Sequence, residues 1–338
     1  MLHPMMNDDS LTPGGDARSR RAKAGGPTSG QASPEARPRQ ARRAPPLERL
    51  LRQRAATLLR RRKQVKEEGD PDAIHDLRVA TRRFQEILDL FEPVLPGEAR
   101  ERARRRARRI RHSFAELRDA DVLHGLVRGM RGGASADEKG AIAPIERRLR
   151  LKAGRLRQAL TGGDHGAPRV AGIRKRLEAL LEHLEEHPAD PALVARAARV
   201  GLARRARELE QARRRAGSGR PLPAHRLRVA VKRWRYALEI LDASSLGPFT
   251  GAIEAARRVQ EKLGALHDLD VLIALVGRGE GARPLRTRLA AKRRELWKEA
   301  RPLVAAYGDE ALRGLRGLPP PRAAASPAGT RLRNGRTP

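Results

Sequence analysis

The residues of this chain best suited to chemistry occur in two copies of one pattern. Residues 75–91 read His-Asp-Leu-Arg-Val-Ala-Thr-Arg-Arg-Phe-Gln-Glu-Ile-Leu-Asp-Leu-Phe, and from His225 the chain reads His-Arg-Leu-Arg-Val-Ala-Val-Lys-Arg-Trp-Arg-Tyr-Ala-Leu-Glu-Ile-Leu. Each copy sets basic side chains three or four residues apart: His75, Arg78 and Arg82 in the first, His225, Arg228, Lys232 and Arg235 in the second. Cations one helical turn apart repel one another unless an anion joins them. Guanidinium forks match phosphate oxygens, and an imidazole adds a donor that strengthens on protonation. The chemistry implied is anion capture, which should tighten as pH falls from about 8 to 6 if the histidines take part. A solvated charged face is the plain alternative, and recurrence of His-x-x-Arg argues against it.

A second basic segment also recurs. Arg100, Arg104, Arg108, Arg111 and Arg118 share one side of a helix at about 100° per residue. The run Arg108-Arg109-Ile110 to Leu117-Arg118-Asp119-Ala120-Asp121-Val122-Leu123 returns as Arg257-Arg258-Val259 to Leu266-His267-Asp268-Leu269-Asp270-Val271-Leu272. The candidate anion ligands are therefore His75, Arg78, Arg82, Arg104, Arg108, Arg111, Arg118, His225, Arg228, Lys232, Arg235, Arg257 and His267. Asp119 and Asp268 read as ion-pair partners that fix neighbouring arginines. Neither His75 nor His225 has a second ligand at i+3 or i+4, so no metal is expected.

Both copies read as amphipathic helices. Leu77, Ala80, Phe84, Leu88 and Phe91 form an apolar stripe opposite the first basic one, and Leu227, Ala230, Val231, Trp234, Leu238 and Leu241 do so in the second. Gly69-Asp70-Pro71 and Gly217-Ser218-Gly219-Arg220-Pro221 precede them as breaks; Asp70 can cap a helix and Pro71 suits its first position. Further helices are expected at about 47–67, 98–130, 143–160, 170–186, 191–216 and 284–307, with one after Gly247-Pro248 carrying Arg257 and His267. A loop is expected at 161–166. No strand pattern is found. The fold expected is all-α: two homologous antiparallel helical-bundle repeats, about 47–160 and 190–307, related by a pseudo-twofold that would bring the basic faces together. Residues 1–46 and 311–338, rich in Pro, Gly and Arg, read as disordered tails around a folded region of 47–310.

The chain of 338 residues carries a formal charge of +33. Residues 1–46 hold eight Lys or Arg against four acids and residues 312–338 six Arg and no acid, so most of the excess lies between them. Such a field draws in polyanions. Arg outnumbers Lys 63 to 10, which suits phosphate but also follows from a GC-rich genome. There are four Phe, two Tyr and two Trp. Single-stranded nucleic acid is usually held by stacking on aromatic rings, and here Phe84 and Trp234 fall on the core stripe. The composition favours an anion without bases. With no Cys there is neither disulfide nor thiolate zinc site. No apolar run of membrane-spanning length and no secretory signal are found, so a cytoplasmic protein without a membrane partner is expected.

The paired motifs resemble the CHAD family, the conserved-histidine α-helical domain. The resemblance rests on His75-x-x-Arg78-Val79-x-x-Arg82-Arg83, on His225-x-Leu227-Arg228-Val229-x-x-Lys232-Arg233-x-Arg235-Tyr236, and on the Arg118-Asp119-x-Asp121-Val122 and Leu263-Gly264 to Asp268-x-Asp270-Val271 segments. It spans about 47–307. Ala115 stands where the family often has the glycine that Gly264 supplies, His267 where a small polar residue is common, and Gln260 where the first repeat has Arg111. The resemblance implies a module that binds inorganic polyphosphate on a basic, histidine-containing surface between the repeats, and association with cytoplasmic polyphosphate granules and their proteins. The alternative is a nonspecific nucleic-acid-binding protein, although no helix-turn-helix or similar motif is present. An enzyme is not expected. There is no P-loop, and Glu208-Leu209-Glu210 lacks the lysine of the Glu-x-Glu-x-Lys motif found in triphosphatase domains joined to some relatives. No cofactor is implied.

Overall fold

The computed structural model describes residues 47–161, 172–244, 246–276 and 282–316. Ten α-helices occur among them: α1 (Leu47–Glu67), α2 (Pro71–Leu90), α3 (Gly97–Ser113), α4 (Ala115–Gly129), α5 (Ala136–Thr161), α6 (Ile173–Glu186), α7 (Pro191–Arg215), α8 (Pro221–Ala243), α9 (Thr250–Val276) and α10 (Arg283–Arg316). No strand occurs among the described residues, so the all-α expectation holds. The expected tails at 1–46 and beyond 316 lie outside the described residues, as does the expected loop past Thr161.

The helix starts follow local chemistry. Asp70 accepts from the backbone N–H of Ala73 at 2.6 Å with Pro71 as the first helical residue, and Asp190 accepts from Ala192 at 2.7 Å ahead of Pro191. Three helical expectations need correction. The expected helix 98–130 is two helices, because the chain turns at Phe114 (φ −99°, ψ 11°), whose ring is 2% exposed in the core. Arg118 therefore belongs to a different axis from Arg100, Arg104, Arg108 and Arg111. The helix expected from 143 starts at Ala136, since Ser135 and Glu138 form a reciprocal capping box: Glu138 accepts from the Ser135 N–H at 3.0 Å, and Ser135 Oγ from the Glu138 N–H at 3.3 Å. Pro144 is absorbed inside this helix. The last helix continues past 307 to Arg316, into the stretch read as a tail.

Helices pack in chain order, α1 on α2, α2 on α3, α4 on α5, and α7 through α10 each on the next, with α6 laid against α1 and α3. The two ends of the chain meet where α2 packs on α7 and α8, α4 on α9 and α5 on α10. One core cluster runs through this seam: Leu58, Leu77, Phe84 and Leu88 belong to it together with Leu202, Leu227, Trp234, Leu238 and Leu266. A smaller one joins Val127, Ile142 and Leu149 to Leu269, Leu272 and Leu285. Both apolar stripes read from the sequence are thus buried, which fixes the direction of the basic stripes opposite them. No helix among the described residues is long and apolar enough to cross a membrane.

Candidate anion-binding site

The two histidine helices are positioned by matching clamps. Gly69 and Gly219, each six residues ahead of its histidine, turn the chain with φ of 62° and 63°, a conformation that glycine adopts without strain. Arg157 of α5 donates from Nε to the Gly69 carbonyl at 3.2 Å and from Nη2 to Asp121 Oδ1 at 2.8 Å. Arg293 of α10 donates from Nη2 to the Gly219 carbonyl at 2.7 Å and from Nε to Asp270. The second acid of each Asp-x-Asp pair is thus consumed in holding an arginine against a turn.

Arg78, on α2, is 9% exposed and donates to the carbonyl of Arg111 at 2.7 Å, tying α2 to the end of α3. Arg111 donates to Gln85 Oε1 at 2.9 Å, and Gln85 donates back to the carbonyl of Arg104 at 3.3 Å. These bonds point Arg78 and Arg111 toward Arg82. Burial and then the charge of Arg82 push both guanidiniums down to about 10, with Arg108 adding to the effect at Arg111. They stay charged at neutral pH, but in a field that a bound anion would relieve.

The other half of the site comes from α8 and α9. Burial is the main cause of the lowered Arg228 pKa, Asp268 opposes it, and Arg82 from α2 adds to it, so Arg82 faces arginines of both halves. Asp268 lies between Arg228 of α8 and Arg118 of α4; burial raises its pKa while both cations oppose the rise. Asp119 steadies Arg78, Arg118 and Arg228. Asp119 and Asp268 are therefore counter-charges acting on arginines of both halves.

His225 and His267 meet with Nδ1 atoms 3.3 Å apart. Burial, then Arg228 and His225, push His267 down to about 4, and burial followed by Arg228 lowers His225 as well. Both shifts disfavour the imidazolium in the free protein. Protonation of this pair is thereby displaced below the ordinary imidazole range, toward lower pH than the interval of 8 to 6 in which tightening is expected.

The remaining candidates divide. Arg108 is exposed beside His112, and His75 and Lys232 are half-buried, Lys232 lying 5.9 Å from the centre of the Tyr236 ring. Arg104 donates from Nε to Asp89 at 2.9 Å, and Arg257, exposed, approaches Glu239 at 4.0 Å. Arg235 does not reach the surface. It is 1% exposed, packed 5.0 Å from the Tyr236 ring centre and 3.3 Å from Glu239 Oε1, which Arg83 of α2 approaches through its other oxygen at 3.1 Å. Its wheel position was right, but the face it lies on is the seam between the halves. Arg233, half-exposed, adds its charge at Arg111 and was missed as a site residue, although it aligns with Arg83 in the repeat. Glu208 and Glu210 are engaged by Arg205, Arg213 and Arg214. Among the described residues no group of three His, Cys, Asp or Glu could hold a metal ion.

Comparison with known proteins places this arrangement. No curated protein matches the sequence significantly. The crystal structure of the CHAD domain from the plant Ricinus communis superposes with a TM-score of 0.54 at 23% identity, covering 83% of this chain and 95% of that one, a likeness of fold. The CHAD domain family model matches residues 49–277, more than half of the chain and nearly all of the helices that build the site. The chain belongs to the CHAD domain family.

Proposed function

We propose that this protein binds inorganic polyphosphate, and holds it without turning it over, on the surface where Arg78, Arg82, Arg108 and Arg111 of one half meet Arg228 and the His225–His267 pair of the other. The observation that carries the reading is Arg82, whose charge acts on Arg78, Arg111 and Arg228 at once, opposed by Asp119 at Arg78 and by Asp268, Tyr236 and Asp119 at Arg228. A linear phosphate chain replaces many small counterions at such a surface, and their release drives binding. Phe84 and Trp234 are 0% and 2% exposed, so neither offers a stacking platform, which favours an anion without bases. The matching Gly–Asp–Arg clamps support two repeats related by a pseudo-twofold. In this reading residues 47–310 are the binding unit, between tails at 1–46 and 311–338, and the setting is cytoplasmic polyphosphate granules and their proteins.

The test is titration of the full-length chain with long-chain polyphosphate and, separately, with duplex DNA at equal phosphate concentration near about 150 mM salt, where diffuse electrostatic binding is weakened. Polyphosphate should bind much more tightly, and Arg82→Ala with Arg108→Ala should remove the difference. Those side chains are chosen because Arg78 also holds the fold through the Arg111 carbonyl. Equal binding of both polymers, unaffected by the double change, would make the charge a diffuse field and favour nucleic acid. Phosphate release on adding magnesium or manganese would show turnover and overturn the binding-only reading.

A further inference from the structure

The two halves repeat an acidic position as well as the basic ones. Asp89 and Glu239 each follow the histidine of their helix by fourteen residues, farther along the same stripe. Each carboxylate is shared between a buried arginine and an outer one. Asp89 accepts from Nη2 of Arg205 at 3.1 Å through Oδ2 and from Nε of Arg104 at 2.9 Å through Oδ1. Glu239 lies 3.3 Å from Nη1 of Arg235 and 4.0 Å from Nη2 of Arg257 through Oε1, and 3.1 Å from Nη2 of Arg83 through Oε2. The side chains of Arg205 and Arg235 are 4% and 1% exposed, whereas those of Arg104 and Arg257 are 37% and 48% exposed, more than the carboxylates they meet. An anion arriving from water therefore meets the outer arginine before the carboxylate. Glu101 also stands 3.7 Å from Nη1 of Arg104, one turn back on α3. The buried arginine comes from α7 in one half and from α8 in the other, so the arrangement recurs without being built from matching residues.

We infer that Asp89 and Glu239 are internal counter-anions, holding Arg104 and Arg257 where phosphate oxygens would bind, and that this competition sets a preference for long phosphate chains. The inference rests on the polyphosphate reading and deepens it. An exposed ion pair is weak in water. Each carboxylate keeps its buried arginine when it yields the outer one, so displacement strands no charge. The carboxylate is nonetheless tethered, which gives it a high effective concentration at the arginine. A short phosphate must displace it unaided. A long chain already held at Arg82 and Arg228 is tethered as well, and competes on equal terms.

The experiment titrates the full-length chain calorimetrically with inorganic tripolyphosphate and, separately, with long-chain polyphosphate. The native protein should bind the long chain more tightly per phosphate. In Asp89→Asn/Glu239→Gln, tripolyphosphate affinity should rise about tenfold as the tethered competitor is lost, and long-chain affinity by much less, so that the preference for length shrinks. Glu178→Gln/Glu299→Gln makes the same change of charge at two exposed side chains elsewhere, and should move both ligands little and equally. The amides also loosen the hold on buried Arg205 and Arg235, so Glu239→Asp serves as a second variant. It keeps the charge and draws the carboxylate back from Arg257, and should also raise tripolyphosphate affinity. A rise common to both ligands or to the control variant, or a fall in tripolyphosphate affinity in Glu239→Asp, overturns the inference and makes the carboxylates braces for the arginines. A preference for length unchanged in both variants sinks the inference alone, whereas native protein that binds neither phosphate sinks the polyphosphate reading as well.

Discussion

Nδ1 of His225 stands 3.3 Å from Nδ1 of His267, the ring centroids 4.6 Å apart, with the Arg228 charge acting on both rings. One nitrogen must donate and the other accept, so a proton on the acceptor turns the bond into two facing donors. His267, held at about 4, takes that proton later in the folded than in the unfolded chain, where histidine titrates near 6.5. Its folded value is depressed, so its contribution to stability is intact above about 6.5 and is lost as pH falls toward 4. A phosphate chain has the opposite preference for the imidazolium. Thermal unfolding of the free protein should therefore weaken from pH 6.5 to 4, while polyphosphate affinity rises over the same interval more than in His267→Asn. Affinity that rises equally in the variant would remove the pair from the site.

The clamp on the second histidine helix gives a separate prediction. Gly219 is required twice, by its φ of 63° and because a Cβ there would run into the Trp297 ring. Arg293 spans the Gly219 carbonyl and Asp270 in a largely buried setting, with side chains 16% and 11% exposed. Asp270→Asn should cost about 1.5–3 kcal/mol in chemical unfolding, the range for hydrogen bonds to charged groups. Asp270 also opposes the fall in the His225 pKa, so the variant should lower that pKa further. A proton titration of the His225 ring by NMR reads this directly, and an unmoved value would mean that the carboxylate acts only through Arg293.

The architecture was largely legible because period-3.6 stripes were strong and repeated: Leu77, Phe84 and Leu88, like Leu227, Trp234 and Leu238, are buried where the wheel put them. Helix ends were read less well. The turn at Phe114 has no Gly or Pro to announce it, and the 98–130 pattern continues through it, whereas the start of α5 is legible in Ser135-x-x-Glu138, a capping-box pattern ahead of the start expected at 143. At the site, side-chain spacing placed Arg78 and Arg228 on matching faces of their helices, but could not give the partners of the arginines around them. Asp89, Glu92 and Glu239 pair with arginines distant in sequence, which no local rule of i+3 or i+4 can find. Arg235 shows the limit of a wheel, which separates two faces of a helix but does not distinguish solvent from a second, polar interface.

That polar interface can be tested at Arg205. Its guanidinium, 4% exposed on α7, donates to Glu86 and Asp89 of α2 and to Glu208, and the three carboxylates hold its pKa above the usual arginine value. Glu86 is buried with it, and burial raises that carboxyl to about 7. Arg205→Met should cost about 3–5 kcal/mol, the penalty for leaving a buried charge without its partner, and Glu86→Leu added to it should recover much of the loss. The folded-state pKa of Glu86 is raised, so the single variant should be least stable above pH 7 and regain stability toward pH 4.5 as the carboxyl protonates. A loss that does not vary with pH would place the damage in packing.

The last contact joining the halves is between backbones. Gly201 of α7 crosses the end of α2, and a Cβ at that position would lie 2.7 Å from the Leu90 carbonyl oxygen and 3.2 Å from its Cα. Alanine is the better helix former by about 1 kcal/mol, so in an open position the change should stabilise. Gly154 of α5 is such a position, with nothing within 4 Å of the added carbon. Gly154→Ala should accordingly raise stability by about 0.5–1 kcal/mol. At Gly201 the obstacle is main chain, which cannot swing aside as a side-chain tip can, so Gly201→Ala should lower stability by about 1–3 kcal/mol through overpacking. The two unfolding measurements have opposite predicted signs for the same chemical change. If Gly201→Ala proved neutral, α7 would be free to slide on α2, and the seam that sets Arg82 beside Arg228 would be softer than this packing requires.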